Sequence, residues 1–167
     1  MDQRRIFAFL TDRIVAGRRC ALVTVLAVDG SAMRGPGAHM AVCEDGSFAG
    51  SLSGGCIENA VVAEACAALA AGQSRTVRFG AGSPYLDIRL PCGGGLDIHF
   101  QPLPDAQIAQ DCLAAIEARR PYTVAIGPQG AQCLAGWHPA PFDPVSGTAR
   151  FGHFPQARLM LVGHGEG

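Results

Sequence analysis

Three glycine-rich segments divide this chain, and each lies where one run of apolar residues gives way to the next. They cover residues 30–38, 51–58 and 91–97. Glycine lets the backbone turn tightly and leaves its N–H groups accessible, but it costs conformational entropy wherever the chain is ordered. The sequence therefore predicts short regular elements joined by three loops, with the loop backbone open to a ligand.

Apolar periodicity predicts three helices and a set of short strands. The helices are expected over 2–16, 56–71 and 105–119, and the strands over 21–28, 39–43, 48–52, 75–79, 96–100, 123–126, 132–135 and 158–162. Asp45-Gly46 between two apolar runs predicts a hairpin. The proline-rich stretch 137–157 is predicted to be a loop. This order of elements indicates an α/β or α+β fold, with a mixed sheet flanked by about three helices in a single compact domain.

Composition narrows the class of protein. The 167 residues are 49% hydrophobic with a net charge of −1, which favours a packed core over disorder and disfavours a nucleic-acid partner. All 13 basic residues are arginine, which excludes lysine Schiff-base chemistry and a P-loop lysine. No apolar run approaches the ~18 residues of a membrane span, and the N-terminus lacks the features of a signal peptide. We therefore expect a cytoplasmic protein without a membrane span.

Seven cysteines are spaced so that no C-x-x-C pair occurs. This spacing disfavours a zinc site, an iron–sulfur cluster and a disulfide framework, and it predicts free thiols. Five of the cysteines lie in apolar elements and are predicted to pack in the core, namely Cys20, Cys43, Cys66, Cys112 and Cys133. The histidines follow no ligand pattern, so a histidine metal site is not expected.

The second glycine-rich segment predicts an anion site at the start of a helix. Gly54 and Gly55 precede Cys56, and unpaired N–H groups together with the helix dipole favour a negative charge there. Cys56 in the first helical turn should have a lowered pKa, and Ser53 would cap the helix if the helix begins near residue 54. The alternative is a capped helix with an inert, buried cysteine.

The other two segments supply further candidate residues. Cys92, Gly93 and Gly94 predict a backbone-lined pocket with a thiol at its edge, and a flexible loop is the alternative. Arg34 in the first segment can bind a phosphate or carboxylate with two hydrogen bonds, and a solvated side chain is the alternative.

The C-terminal stretch has the pattern of a strand that enters a dinucleotide-binding turn. The strand over 158–162 is followed by Gly163 and Gly165, while Gly167 comes one residue too early for G-x-G-x-x-G. The helix that would carry the pyrophosphate is not in the sequence. We therefore expect no NAD binding by these residues.

Several stretches together resemble the XdhC/CoxI family in order and spacing: G-S-A-M-R-G-P-G-A-H-M (30–40), E-D-G-S-F-A-G-S-L-S-G-G-C-I-E (44–58), P-C-G-G-G-L-D (91–97) and L-M-L-V-G-H-G (159–165). The resemblance implies an XdhC/CoxI-like domain over 1–156, and over 157–167 the first strand and incomplete glycine-rich turn of a Rossmann-type domain that is otherwise absent.

The resemblance also implies a function. Members of this family are chaperones, not enzymes, that transiently bind the molybdenum cofactor (molybdopterin). They assist its sulfuration with a cysteine desulfurase and deliver it to xanthine dehydrogenase or a related molybdenum hydroxylase. It implies that Cys56 and Cys92 contact the cofactor, and a homo-oligomer is compatible with it. Two alternatives from the residues alone stay open: a fragment of a nicotinamide-dependent oxidoreductase, and a thiol-redox protein that uses Cys56 and Cys92.

Overall fold

The computed structural model describes residues 3–29, 35–52, 57–80 and 94–155. Within these ranges the chain forms one compact α/β domain with three helices, as the sequence predicts. The helices are α1 (Gln3–Val15), α2 (Glu58–Ala71) and α3 (Gln107–Glu117). The strands are β1 (Cys20–Asp29), β2 (His39–Cys43), β3 (Phe48–Gly50), β4 (Arg75–Gly80), β5 (Gly95–Pro102), β6 (Tyr122–Gly127), β7 (Gly130–Ala135), β8 (Ala140–Asp143) and β9 (Thr148–His153). None of the helices described is long and apolar enough to cross a membrane.

A five-stranded antiparallel sheet in the order β3-β2-β1-β5-β4 forms the centre of the domain. Its middle strand β1 is a β-branched apolar run whose first seven residues are all buried, because both faces of the strand are covered. The predicted β2–β3 hairpin is confirmed. Gly46 permits its turn by adopting a φ of +88°.

A second antiparallel sheet, in the order β7-β6-β9-β8, contains two strands that the sequence analysis missed. The prediction of a loop over 137–157 is wrong, because β8 and β9 form a hairpin there and β9 also pairs with β6. In β9 the exposed Thr148 and Arg150 alternate with the buried Ala149 and Phe151. Such alternation is typical of a strand with one face on the core, and the surrounding prolines obscured it.

The direction of strand pairing also differs from the prediction of a mixed sheet, in which some neighbouring strands are parallel and others antiparallel. The paired strands of both sheets are antiparallel throughout the described ranges. The reason is the connectivity. Parallel neighbouring strands need a crossover connection that returns the chain to the same end of the sheet before the second strand begins. Here α2 links β3 and β4, which are the two edge strands, while α3 leads out of the first sheet into the second.

Two apolar clusters cover the two faces of the five-stranded sheet. Successive side chains of a strand point to opposite faces, so Val23 and Val25 of β1 pack towards α2, while Leu22 and Leu26 pack towards α1, α3 and the second sheet. In α1 the predicted apolar face is confirmed, with Ile6, Phe7 and Leu10 fully buried. The five-stranded sheet is therefore a rigid central layer from whose ends the loops depart.

Candidate functional site

Three strand ends meet at one end of the five-stranded sheet, which we call the loop end and define by Asp29, Gly80 and Gly95. Gly95 begins β5 and is paired with both Asp29, which ends β1, and Gly80, which ends β4. On the other side of β1, β2 begins at His39 opposite Thr24, and Gly50 at the end of β3 lies in the same row as Val23, partway along the sheet. The residues before segments 30–34 and 81–93 therefore lie at the loop end on strands that both pair with β5, whereas Leu52, the residue before segment 53–56, follows β3 at the opposite edge of the sheet.

Arg78 on β4 links three strands at the loop end. Its guanidinium pairs with the carboxylate of Asp29 on β1 and, at 3.2 Å, with that of Asp97 on β5. The hydrogen bond to Asp29 raises the pKa of Arg78 above its ordinary value. The guanidinium lies against the backbone of Gly95, where an added Cβ would be 2.6 Å from Arg78 Cζ. One positive and two negative groups thus meet here.

Glu58 holds the residues that precede segment 53–56, as Arg78 holds residues that flank segments 30–34 and 81–93. Its Oε2 accepts a hydrogen bond from Ser51 Oγ at 2.7 Å and from the Leu52 backbone N–H at 3.0 Å. The residue is only 8% exposed and lies in the first turn of α2, where the helix dipole stabilises a carboxylate. Sequence reasoning quoted Glu58 within S-G-G-C-I-E without giving it a role. The signal was an acidic residue directly after a glycine-rich turn.

Most residues predicted to bind the cofactor lie outside the described residues. These are Arg34, Ser53, Gly54, Gly55, Cys56, Cys92 and Gly93. Gly94 is described and half-buried, and it immediately precedes β5 at the loop end. The proposed contacts of all eight residues with the cofactor stay predictions, as does the strand over 158–162.

The start of α2 differs from the predicted start at residue 56. The helix begins at Glu58 with Ile57 as its N-cap residue, and the side chain of Ile57 makes no capping hydrogen bond. The Glu58 carboxylate accepts a hydrogen bond from the Leu52 N–H, which ties the first turn of α2 to the residues after β3. Ser53 and Cys56 lie outside the described residues, so the capping role of Ser53 and the lowered pKa of Cys56 stay predictions.

A row of polar side chains crosses the five-stranded sheet. Thr24 of β1 lies opposite both His39 of β2 and His99 of β5. Thr24 Oγ1 is 2.9 Å from His39 Nδ1, and Thr76 Oγ1 is 3.2 Å from His99 Nδ1. Burial lowers the pKa of His99, while its hydrogen bond with Gln101 has the opposite effect. These buried polar groups are paired with one another, as buried polar atoms require.

His39 also joins the two sheets through a contact that no local sequence pattern indicates. Its Nε2 atom is 3.1 Å from Nε2 of His153 on β9, a residue 114 positions away. The rings of Phe7 and Phe151 contact His39, and the ring of Tyr122 contacts His153. Burial lowers the pKa of His153 to about 4, so this imidazole is uncharged at neutral pH. Across the described part of the chain, no three His, Cys, Asp or Glu side chains are grouped to hold a metal.

The five described cysteines are free thiols. Cys20, Cys43 and Cys112 are buried as predicted, whereas Cys66 and Cys133 are half-buried at the edge of the core. Burial raises the pKa of Cys20 to about 12 and also raises that of Cys66. Cys133 differs, because a hydrogen bond from the Cys112 thiol lowers its pKa.

Comparison with known proteins adds the last set of observations. The model of the XdhC and CoxI family matches residues 14–80, which include β1 to β4 and α2. The chain is 36% identical over 169 residues to the molybdenum cofactor insertion chaperone PaoD of Escherichia coli (strain K12), an alignment that covers 97% of this chain and 51% of that protein. Its fold is similar to a crystal structure described as a xanthine dehydrogenase from Bacillus halodurans, with a TM-score of 0.63 and 21% identity over 90% of this chain and 53% of that one. The chain spans about half the length of these two relatives.

Proposed function

This chain belongs to the XdhC and CoxI family, and we propose that it is a chaperone that binds the molybdenum cofactor and helps to insert it into a molybdenum enzyme of the xanthine dehydrogenase type. The observation that carries the proposal is the loop end, where the flanks of segments 30–34 and 81–93 lie side by side around Arg78, together with Glu58, which holds the residues before segment 53–56. The chain itself carries the cofactor as cargo and catalyses no reaction.

The residue types in the three segments suit this cargo, which is a pterin with a dithiolene-bound metal and a phosphate. Backbone N–H groups of Gly54, Gly55 and Gly93 provide donors for the phosphate. Cys56 and Cys92 provide soft sulfur atoms for the metal. Arg34 is the proposed charge partner of the phosphate.

Arg78 is not proposed for that charge, because Asp29 and Asp97 already neutralise its guanidinium.

A carrier must release its cargo, and this favours several moderate contacts on loops over an enclosed cage. The recipient is proposed to be a molybdenum hydroxylase, and a cysteine desulfurase is the proposed sulfur source. Residues 1–156 are proposed to form the domain that handles the cofactor, and residues 157–167 to begin a Rossmann-type unit.

The test is to co-express the chain in a host that makes the cofactor, and to measure molybdenum and pterin fluorescence in the purified protein. We expect the wild-type chain to retain both, and Cys56→Ala or Cys92→Ala to lose most of the bound molybdenum while the fold is kept. Arg34→Ala should weaken binding in a salt-dependent way, because its role is electrostatic.

Cys66→Ala is the matched control. Cys66 is a half-buried thiol, and its Sγ contacts the carbonyl oxygen of Cys43, at the end of the sheet away from segments 30–34 and 81–93. A wild-type chain that holds no cofactor, or alanine variants at residues 56 and 92 that both hold the full amount, would contradict the proposal.

A further inference from the structure

We propose that Arg78 is a positioning residue that fixes the ends of segments 30–34 and 81–93, and that residue 95 is glycine so that this guanidinium can reach its place. The link to cargo binding rests on the proposed function. The effect on the ends of the two segments does not, because it follows from contacts among described residues.

Segments 30–34 and 81–93 join the described chain at four points, and Arg78 or one of its contacts lies at or near three of them. Asp29 is the residue before segment 30–34, and Arg78 pairs with its carboxylate. Arg78 itself lies two residues before Gly80, after which segment 81–93 begins. Asp97 and Gly95, which the guanidinium also contacts, follow that segment. The side chain of Arg78 thereby connects the strand that leads into segment 30–34 with the two strands that flank segment 81–93.

Gly95 has a packing reason, not a backbone reason, to be glycine. Its φ is not among the positive values found at other glycines of the chain, so its backbone conformation is open to other residues. An added Cβ, however, would be 2.6 Å from Cζ and 2.7 Å from Nε of Arg78, closer than real Cβ contacts come. Alanine at this position would therefore force the guanidinium, the far end of a flexible side chain, to shift away from its place between the two carboxylates.

The charges indicate that Arg78 positions the loops and does not itself bind an anionic cargo. Its side chain is 24% exposed and is shared between Asp29 and Asp97. The two interpretations predict opposite effects of Asp29→Asn. If Arg78 positions the loops, losing this ion pair weakens cargo binding. If Arg78 binds the anion directly, removing a neighbouring negative charge strengthens binding.

Arg75 offers a matched control on the same strand. It pairs with Glu64 of α2 at 3.3 Å, and its side chain is 38% exposed. It lies opposite Phe100, at the end of β4 away from the loops. Arg75→Gln therefore removes an arginine–carboxylate pair from β4 without touching the loop end.

The first experiment measures amide hydrogen exchange by mass spectrometry on cofactor-free protein. We expect Arg78→Gln and Gly95→Ala each to raise exchange in peptides covering 30–34 and 81–93 by about tenfold, the factor that corresponds to loss of a hydrogen bond to a charged group. Arg75→Gln should leave these peptides unchanged. Gly95→Ala should add nothing in the Arg78→Gln background, because both changes remove the same contact.

The second experiment measures molybdenum bound after co-expression with the cofactor. Arg78→Gln, Gly95→Ala and the milder Asp29→Asn, whose carboxylate is 69% exposed, should each lower it, with about tenfold expected for Arg78→Gln. Arg78→Lys should not restore binding, because an ammonium group lacks the planar fork that joins two carboxylates.

The outcomes separate the two proposals. Equal exchange in wild-type and variant segments, or tighter binding by Asp29→Asn, would overturn the role of Arg78. A wild-type chain that binds no molybdenum while the variants still raise exchange would overturn the proposed function and leave the positioning role standing. If Arg78→Gln does not fold, Asp29→Asn carries both measurements.

Discussion

The two ends of the five-stranded sheet are built differently. At the loop end, Arg78, Asp29 and Asp97 join three strands by ion pairs between residues far apart in sequence. The opposite end, which we call the closed end, is defined by Cys20, Cys43, Arg75 and Phe100. There a short turn connects β2 to β3, and neighbouring residues supply its hydrogen bonds. The comparison teaches that local contacts can hold a turn, whereas loops that must admit a ligand need long-range contacts at their bases.

The turn between β2 and β3 shows this locality in two contacts of one side chain. The Asp45 carboxylate accepts a hydrogen bond from the Ser47 backbone N–H at 2.9 Å and another from the Ser47 hydroxyl, and these bonds lower the pKa of Asp45 to about 2. Such a turn is largely specified by the residues within it.

The largest effect is expected from Phe100→Ala, which tests whether the closed end serves stability alone. Phe100 is fully buried against the apolar cluster beneath α2. Removing its ring should lower the free energy of unfolding by about 3–5 kcal/mol through lost burial and a residual cavity. Urea denaturation measures this loss, and bound molybdenum per folded molecule should stay near the wild-type value. A stable variant that has lost its cofactor would break the comparison.

A smaller effect is expected from pH, acting on the contact that ties His39 of β2 to the second sheet. Burial holds the pKa of His153 at about 4 in the folded chain, against about 6.5 when unfolded. The unfolded state therefore binds more protons between these values, and the stability is complete above pH 6.5 and is lost as the pH falls towards 4.

Between pH 7 and pH 5 this histidine alone should lower the free energy of unfolding by about 2 kcal/mol. In the pair formed by His39 and His153, the rings of Phe7 and Phe151 contact His39, and the ring of Tyr122 contacts His153. Urea denaturation at both pH values, with His153→Gln as the comparison, measures the contribution. An equal pH dependence in the variant would show that His153 does not titrate on unfolding.

The smallest effect is expected from Glu58→Gln, which keeps the size of the side chain but removes its charge. Bonds from Ser51 and Leu52 to a neutral amide oxygen are weaker, so the free energy of unfolding should fall by about 1 kcal/mol. Bound molybdenum should fall as well, because the segment 53–56 loses its anchor. Glu64→Gln on the same helix is the control and should leave molybdenum unchanged. Equal molybdenum loss in both variants would exclude a specific role for Glu58.

Much of the fold could be predicted because it depends on local patterns. The apolar face of α1 and the bounds of β2 follow from periodicity, and the β2–β3 hairpin follows from Asp45 and Gly46. The strands β8 and β9 were missed because prolines suggested a loop, while the pairing of β9 with β6 is a long-range interaction. Tertiary pairing overrode the local signal there.

The site was only partly predictable for the same reason. The pocket attributed to Gly93 and Gly94 of the third glycine-rich segment stays a prediction, and no local pattern indicates that a Cβ at residue 95 would lie 2.6 Å from Arg78 Cζ. No pattern relates Arg78 to Asp29, which is 49 residues earlier. The contact of His39 with His153 is likewise set by the packing of the two sheets.

The position of β1 in its sheet has a consequence for the order in which the chain folds. Val23 pairs with Met40 on one side and with Phe100 on the other. During synthesis, one edge of this apolar strand is covered early by β2, while the other stays open until β5 leaves the ribosome. That interval is on the order of 3–12 seconds at usual elongation rates. An exposed apolar strand edge can pair with other chains, so the nascent chain passes through a period in which it depends on dilution or on general chaperones to reach its native sheet.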